Sequence, residues 1–220
     1  IYQVEYAREA VKRGAPSLGI RTGEGVVLAA QRRTSSSLME GDSIEKLHKL
    51  DDFLGAASAG HVADARRLID GARTAAQRNR LRYGEPDEIQ ETTQIGGTRP
   101  FGAALLIAGM DGSAPDAHPR LFQTDPSGAP QEWRAVAIGS GRDDIQEFLE
   151  AEWSEELTLD DGVSIAVQAL LKTDEELNTG SVSVATITSD GYRTVSDDEI
   201  EPLIQTHAPD PDDADENGAE

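Results

Sequence analysis

Ser43-Ile44-Glu45-Lys46 has the S-x-x-K spacing in which a lysine can take the proton of a serine nucleophile during acyl transfer. That chemistry needs the serine at a helix start, with Ser-Asp-Asn and Lys-Thr-Gly elements further on. Here the stretch reads as the approach to a strand, and Lys172-Thr173-Asp174 lacks the required glycine. Gly139-Ser140-Gly141 stands before a helix, where free backbone amides can cradle a phosphate. No Walker lysine follows, and Asp143 and Asp144 would repel an anion from that first turn. The glycines therefore read as a structural turn.

The other candidates are thinner still. His48, His61, His118 and His207 share neither a helix face nor a metal-ligand spacing. The acidic pairs Asp51-Asp52, Asp143-Asp144, Asp160-Asp161 and Asp197-Asp198 each precede a strand or helix, where carboxylates offset the helix dipole. The arginines of the 66–82 stretch point all round their helix, as on a solvated face. No catalytic constellation, metal site or cofactor is expected.

Charge says more about surroundings than about reaction. Forty-one acidic residues face 20 basic ones, giving −21 and a pI near 4.4. Nucleic acid and anionic lipid both need a positive footprint, so neither is an expected partner. Lysine occurs only at positions 12, 46, 49 and 172, and aromatic residues make up 5%. An acid-rich, lysine-poor surface fits concentrated salt, which screens mutual repulsion. No apolar run is long enough to span a membrane. Zero cysteines exclude disulfides and thiolate metal sites and fit a cytoplasmic protein.

The elements that must position these residues follow from periodicity. Val4, Ala7 and Val11 predict a helix over 1–14, with Glu5 placed before Arg8, Glu9 before Arg13, and Gly14 as its stop. No capping residue precedes Ile1, which predicts that the natural chain continues upstream. A hairpin turns at Thr22–Gly25, and strands follow over 44–50, with Ile44, Leu47 and Leu50 alternating, and over 53–60. Val62, Ala65, Ile69, Ala72 and Ala76 form the buried stripe of a helix over 61–82. "AALLIAGM", "PRLFQTD" and "EWRAVAIG" read as three strands. Two helices come next, one with Ile145, Phe148, Leu149 and Trp153, the other over 159–172. A hairpin turning at Ser189-Asp190-Gly191 and a helix over 197–207 end the order. Strand runs and hairpins separated by helices predict an α+β fold: two antiparallel sheets covered by helices, a four-layer αββα sandwich. Residues 1–207 form one domain in this reading. Residues 208–220, "APDPDDADENGAE", are expected to be a disordered acidic tail.

"YQVEYAREAVKRG", "SIEKLHKLDD", "SAGHVADARRLIDGAR", "YGEP", "GGTRPFGAALLIAG", "PRLFQTDPSG" and "AIGSGRD", in this order, resemble the archaeal α-type subunits of the 20S proteasome. The resemblance runs to about residue 204, and the first segment is its most specific part. It implies the αββα, Ntn-hydrolase-like sandwich. It also implies a non-catalytic subunit that sits in a seven-membered outer ring, contacts β subunits, gates substrate entry and receives the C-terminal tails of AAA ATPase activators.

Position by position, the resemblance implies that Lys46 meets the terminal carboxylate of an activator tail in a pocket between neighbouring α subunits. Gly14 and Glu5 line or border that pocket, and Tyr6 supports the opened gate. The resemblance further implies a gating tail upstream of the first helix. It also implies a second long helix between Gly84 and Gly96, running back along 61–82. A 22-residue helix travels about 33 Å, and the residues between those glycines span roughly 36–40 Å only when fully extended. That shortness predicts residues missing from the sequence there. Two alternatives remain open. One is a catalytic β-type threonine peptidase, which needs an N-terminal threonine abutting the first strand and a lysine on a nearby strand, neither evident in the sequence. The other is a degenerate, non-assembling α paralogue.

Overall fold

β1 (Ser17–Arg21) and β2 (Gly25–Gln31) alternate too little to have a wet face, and every residue of β2 is buried. Their hairpin closes through Thr22, whose amide donates to the Gly25 carbonyl at 2.9 Å. In the computed structural model, which describes residues 2–34, 36, 38–83, 101–112, 117–124, 126 and 130–208, this hairpin is central to one of two sheets. The acidic tail from 209 and the expected return helix between Gly84 and Gly96 lie outside the described residues.

The other strands are β3 (Leu47–Asp51), β4 (Leu54–Gly60), β5 (Ala103–Asp111), β6 (His118–Thr124), β7 (Pro130–Glu132), β8 (Ala135–Ile138), β9 (Val182–Thr188) and β10 (Gly191–Thr194). One sheet runs β10-β9-β2-β1-β8 and the other β3-β4-β5-β6-β7, with antiparallel neighbours throughout. Val26, Leu28, Leu106, Leu121, Ile138 and Ile187 fill the space between the sheets.

Helices cover the two outer faces. α2 (Val62–Tyr83) lays Ala65, Leu68, Ile69, Ala72 and Ala76 on β3, β4 and β5. α3 (Arg142–Glu152) and α4 (Leu159–Leu171) pack on the opposite sheet through Ile145, Leu149, Ala166 and Leu170. α5 (Asp197–His207) lies against α4, and α1 (Tyr2–Arg13) crosses the ends of β4 and β5. The α+β, four-layer αββα sandwich expected from the sequence is the architecture observed.

Three local expectations need correction. "EWRAVAIG" is not one strand: β7 edges one sheet, β8 edges the other, and Trp133-Arg134 cross between them. The crossing is bonded on both sides, from the Trp133 amide to the Leu121 carbonyl (2.9 Å) and from the Arg21 amide to the Arg134 carbonyl (2.7 Å). Val62 is 61% exposed because the first turn of α2 overhangs the sheet, and Leu68 takes its place in the stripe. The strand predicted from Ile44 begins at Leu47, and its buried face carries His48 and Leu50.

Candidate functional site

Lys46 sits just before β3, at the point where α1 hands over to β1. Its Nζ donates to the carbonyl of Ala15 and, at 3.3 Å, to that of Pro16. Four close contacts fix this handover segment. A Cβ on Gly14 would lie 2.4 Å from the Gly60 amide nitrogen, so α1 ends against the end of β4 only because Gly14 has no side chain. The Ser140 amide donates to the Gly14 carbonyl at 2.7 Å, and Gly139, at φ 97°, brings its backbone close to the Ala15 carbonyl. The Gln31 amide shares the Pro16 carbonyl at 3.0 Å. The glycine turn at 139–141 thus packs against the segment whose Ala15 and Pro16 carbonyls Lys46 binds.

Lys46 opens into a cleft of about 440 Å³. Arg13 comes to it from the end of α1, Arg33 from beyond β2, and Arg66 from α2; among the described residues Glu45 is the one acidic residue of the lining. Exposed Met39 and Val62 give it an apolar side. In a chain of net charge −21 this is a concentrated positive patch. Burial, and then the nearby charge of Arg33, lower the Lys46 ammonium to about 7.

His48 lies at the floor, 4% exposed, with Nδ1 3.7 Å from the Glu45 carboxylate. Burial pushes its imidazole below the ordinary value. Glu45 opposes that shift, and Arg73 and Arg66 add to it.

The structure brings some of the predicted site residues together and leaves others apart. Arg13 lines both the Lys46 cleft and a second hollow of about 390 Å³, where it joins Tyr6, Glu9, Ala10, Gly14, Gly60 and His61. Gly14 lines the second hollow and not the Lys46 cleft; Arg13 lines both. Tyr6 is 84% exposed at the rim of the second hollow. Glu5 stands outside both, paired with Arg8 at 3.9 Å, while Glu9 takes Lys12 at 3.1 Å. The arginines of α2 are not a uniform solvated face: Arg66 turns to the cleft and Arg73 donates to the Lys49 carbonyl at 3.0 Å.

Arg13, Arg33 and Arg66 line the cleft and were not singled out from sequence. Nothing marks them among the chain's other arginines, because they meet from three separate elements.

No serine acyl-enzyme arrangement is assembled at the cleft among the described residues. Ser43 lines it, but its hydroxyl donates to the Glu40 carbonyl at 2.6 Å, and it sits in a one-turn helix rather than at the start of a long one. Lys46 stands beside the first strand, but in the segment before β3 and not on a strand. The residues at that strand's start, Ala15 and Pro16, are mid-chain and carry no nucleophile. Ser17, the first hydroxyl of the strand, is buried and donates to the Ser58 carbonyl at 2.8 Å. Among the described residues no group of three or more His, Asp or Glu side chains is placed to hold a metal ion, and no helix is long and apolar enough to cross a membrane.

A family model described as "Proteasome subunit" matches residues 11–187. The chain is 58% identical over 215 residues to proteasome subunit alpha 2 of Haloferax volcanii, covering 93% of this chain and 85% of that protein. It is 55% identical over 218 residues to proteasome subunit alpha of Haloquadratum walsbyi, covering 93% and 86%. To proteasome subunit alpha of Halobacterium salinarum it is 54% identical over 218 residues, covering 93% and 85%. All three come from salt-loving archaea, as the acidic surface anticipates. With the matched residues running from the end of α1 into β9, the chain belongs to the proteasome subunit family and, within it, to the archaeal alpha subunits.

Proposed function

We propose that this chain takes its place in the seven-membered outer ring of a cytoplasmic 20S core, gates entry of protein substrates, and docks the C-terminal tail of an AAA ATPase activator in the Lys46 cleft. As a proteasome alpha subunit it is a non-catalytic member of a threonine peptidase complex and assembles with other proteasome subunits.

The observation that carries the docking reading is Lys46 itself. It is a half-buried lysine among three guanidiniums, held by two backbone carbonyls at the mouth of an apolar-sided cleft. A chain-terminal carboxylate is small, anionic and tethered, so it can reach such a point charge by insertion. Met39 and Val62 offer apolar surface to the residues behind it. Glu5, Gly14 and Tyr6 belong to this proposal through α1: Gly14 sets how closely the helix approaches β4, and Glu5 and Tyr6 lie on its exposed side, where a neighbouring subunit or an upstream segment would meet them.

Lys46→Ala is expected to abolish activator-stimulated hydrolysis of folded substrate while rings still form. Truncating one partner of a buried charge pair costs about 2–5 kcal/mol of binding. Normal stimulation by the activator in the Lys46→Ala particle would overturn the docking assignment.

A further inference from the structure

Three of the four lysines are exposed beside ordinary surface partners. Lys12 contacts Glu9 at 3.1 Å, Lys49 contacts Asp52 at 3.0 Å, and Lys172 lies 5.3 Å from the centre of the Phe148 ring. Lys46 differs in every respect. It faces a cleft of about 440 Å³, its contacts are the carbonyls of Ala15 and Pro16, and guanidiniums surround it. A neutral amine has two hydrogens and one lone pair. Two carbonyl acceptors take both hydrogens and leave the pair available.

The groups facing Lys46 come from every neighbouring element: Arg13 from α1, Arg33 from beyond β2, Glu45 and His48 from its own segment and β3, and Arg66 from α2. Burial first, and then the charge of Arg33, favour the neutral amine. The same guanidiniums are planar, multidentate donors of the kind that bind phosphoryl groups. The cleft therefore pairs a readily deprotonated amine with a seat for an anionic leaving group.

We propose that Lys46 is an acylation site whose donor is a small acyl phosphate seated on Arg13, Arg33 and Arg66. The Nζ lone pair attacks the acyl carbonyl carbon and a C–N bond forms. The bond from that carbon to the phosphate oxygen breaks, phosphate leaves with the electron pair, and the surplus amine proton passes to it. The product is a neutral amide in the cleft. On the docking reading given above, the amide removes the charge that meets a terminal carboxylate, so acylation switches the site off.

The test uses the full chain in molar KCl with acetyl phosphate, followed by peptide mapping of all four lysines. An ordinary lysine is almost wholly ammonium near neutral pH, so Lys46 is expected to be acetylated at least about tenfold faster than Lys12, Lys49 or Lys172 at roughly pH 7.5. That preference should shrink as the pH approaches about 10. Equal or slower reaction at Lys46 near neutral pH would overturn the proposal. Arg33→Gln should slow acetylation at Lys46 several-fold and leave the other three unchanged; an unchanged rate at Lys46 would overturn the assigned donor seat. Binding of a peptide with a free C-terminal carboxylate separates this proposal from the docking reading. Loss of peptide binding on acetylation agrees with both. Retained binding with Lys46 fully acetylated would contradict docking at Lys46 and leave the acylation site standing.

Discussion

Lys46 is a cation that its surroundings discourage from being charged. Burial and Arg33 bring its ammonium down to about 7. A carboxylate beside it would favour the charged form and move the value back up. On the docking proposal, binding would therefore take up a proton above about pH 7. Affinity should be flat below that pH and should fall as pH rises through it, by up to about tenfold per unit, until the raised value is passed. Titrating a tail peptide onto the assembled ring from about pH 6 to 9 checks this, and affinity that rises over that range would contradict it. Gly14→Ala acts on the same site from behind. The new Cβ would meet the backbone of Gly60 at 2.4 Å, so α1 must move off β4. Overpacking of this kind costs about 1–3 kcal/mol, and the thermal midpoint should fall together with peptide binding. Of this site, sequence made Lys46 and Gly14 visible through the motif around them. It could not show Arg13, Arg33 and Arg66 converging, because that depends on how three elements cross.

At the scale of elements, the helices were the most legible part. α4 shows why: Thr158 accepts from the Asp161 amide at 3.2 Å, while the Asp161 carboxylate accepts from the Thr158 amide at 3.1 Å. That reciprocal cap starts a helix whose face from Val163 to Leu171 covers β1 and β2. Thr158→Ala should lower stability by about 1 kcal/mol. Denaturant unfolding should show a lower midpoint at unchanged slope, and an unaltered midpoint would mean the cap is dispensable. The β7–β8 crossing was illegible for a physical reason. Alternation continues from Trp133 into Ala135, so nothing in the pattern marks the two residues at which the chain changes sheets. Val62 misled in the same way. Its spacing fits the stripe of α2, but the sheet below ends before the helix does.

For the whole molecule, the sandwich is consistent with a subunit without catalysis. Its first strand begins beneath α1, and the lysine beside that strand holds the carbonyls of Ala15 and Pro16. The charge of −21 belongs to this scale as well. Salt screens the repulsion that would otherwise oppose packing many such chains side by side. Assembly into a non-catalytic ring is tested by the native mass and peptidase activity of the purified chain at molar salt. A particle of seven times the 23.6 kDa chain mass, or a pair of such rings, with no peptide hydrolysis is expected. A population that stays monomeric at molar salt would contradict it, as would peptidase activity abolished by changing a single residue of this chain.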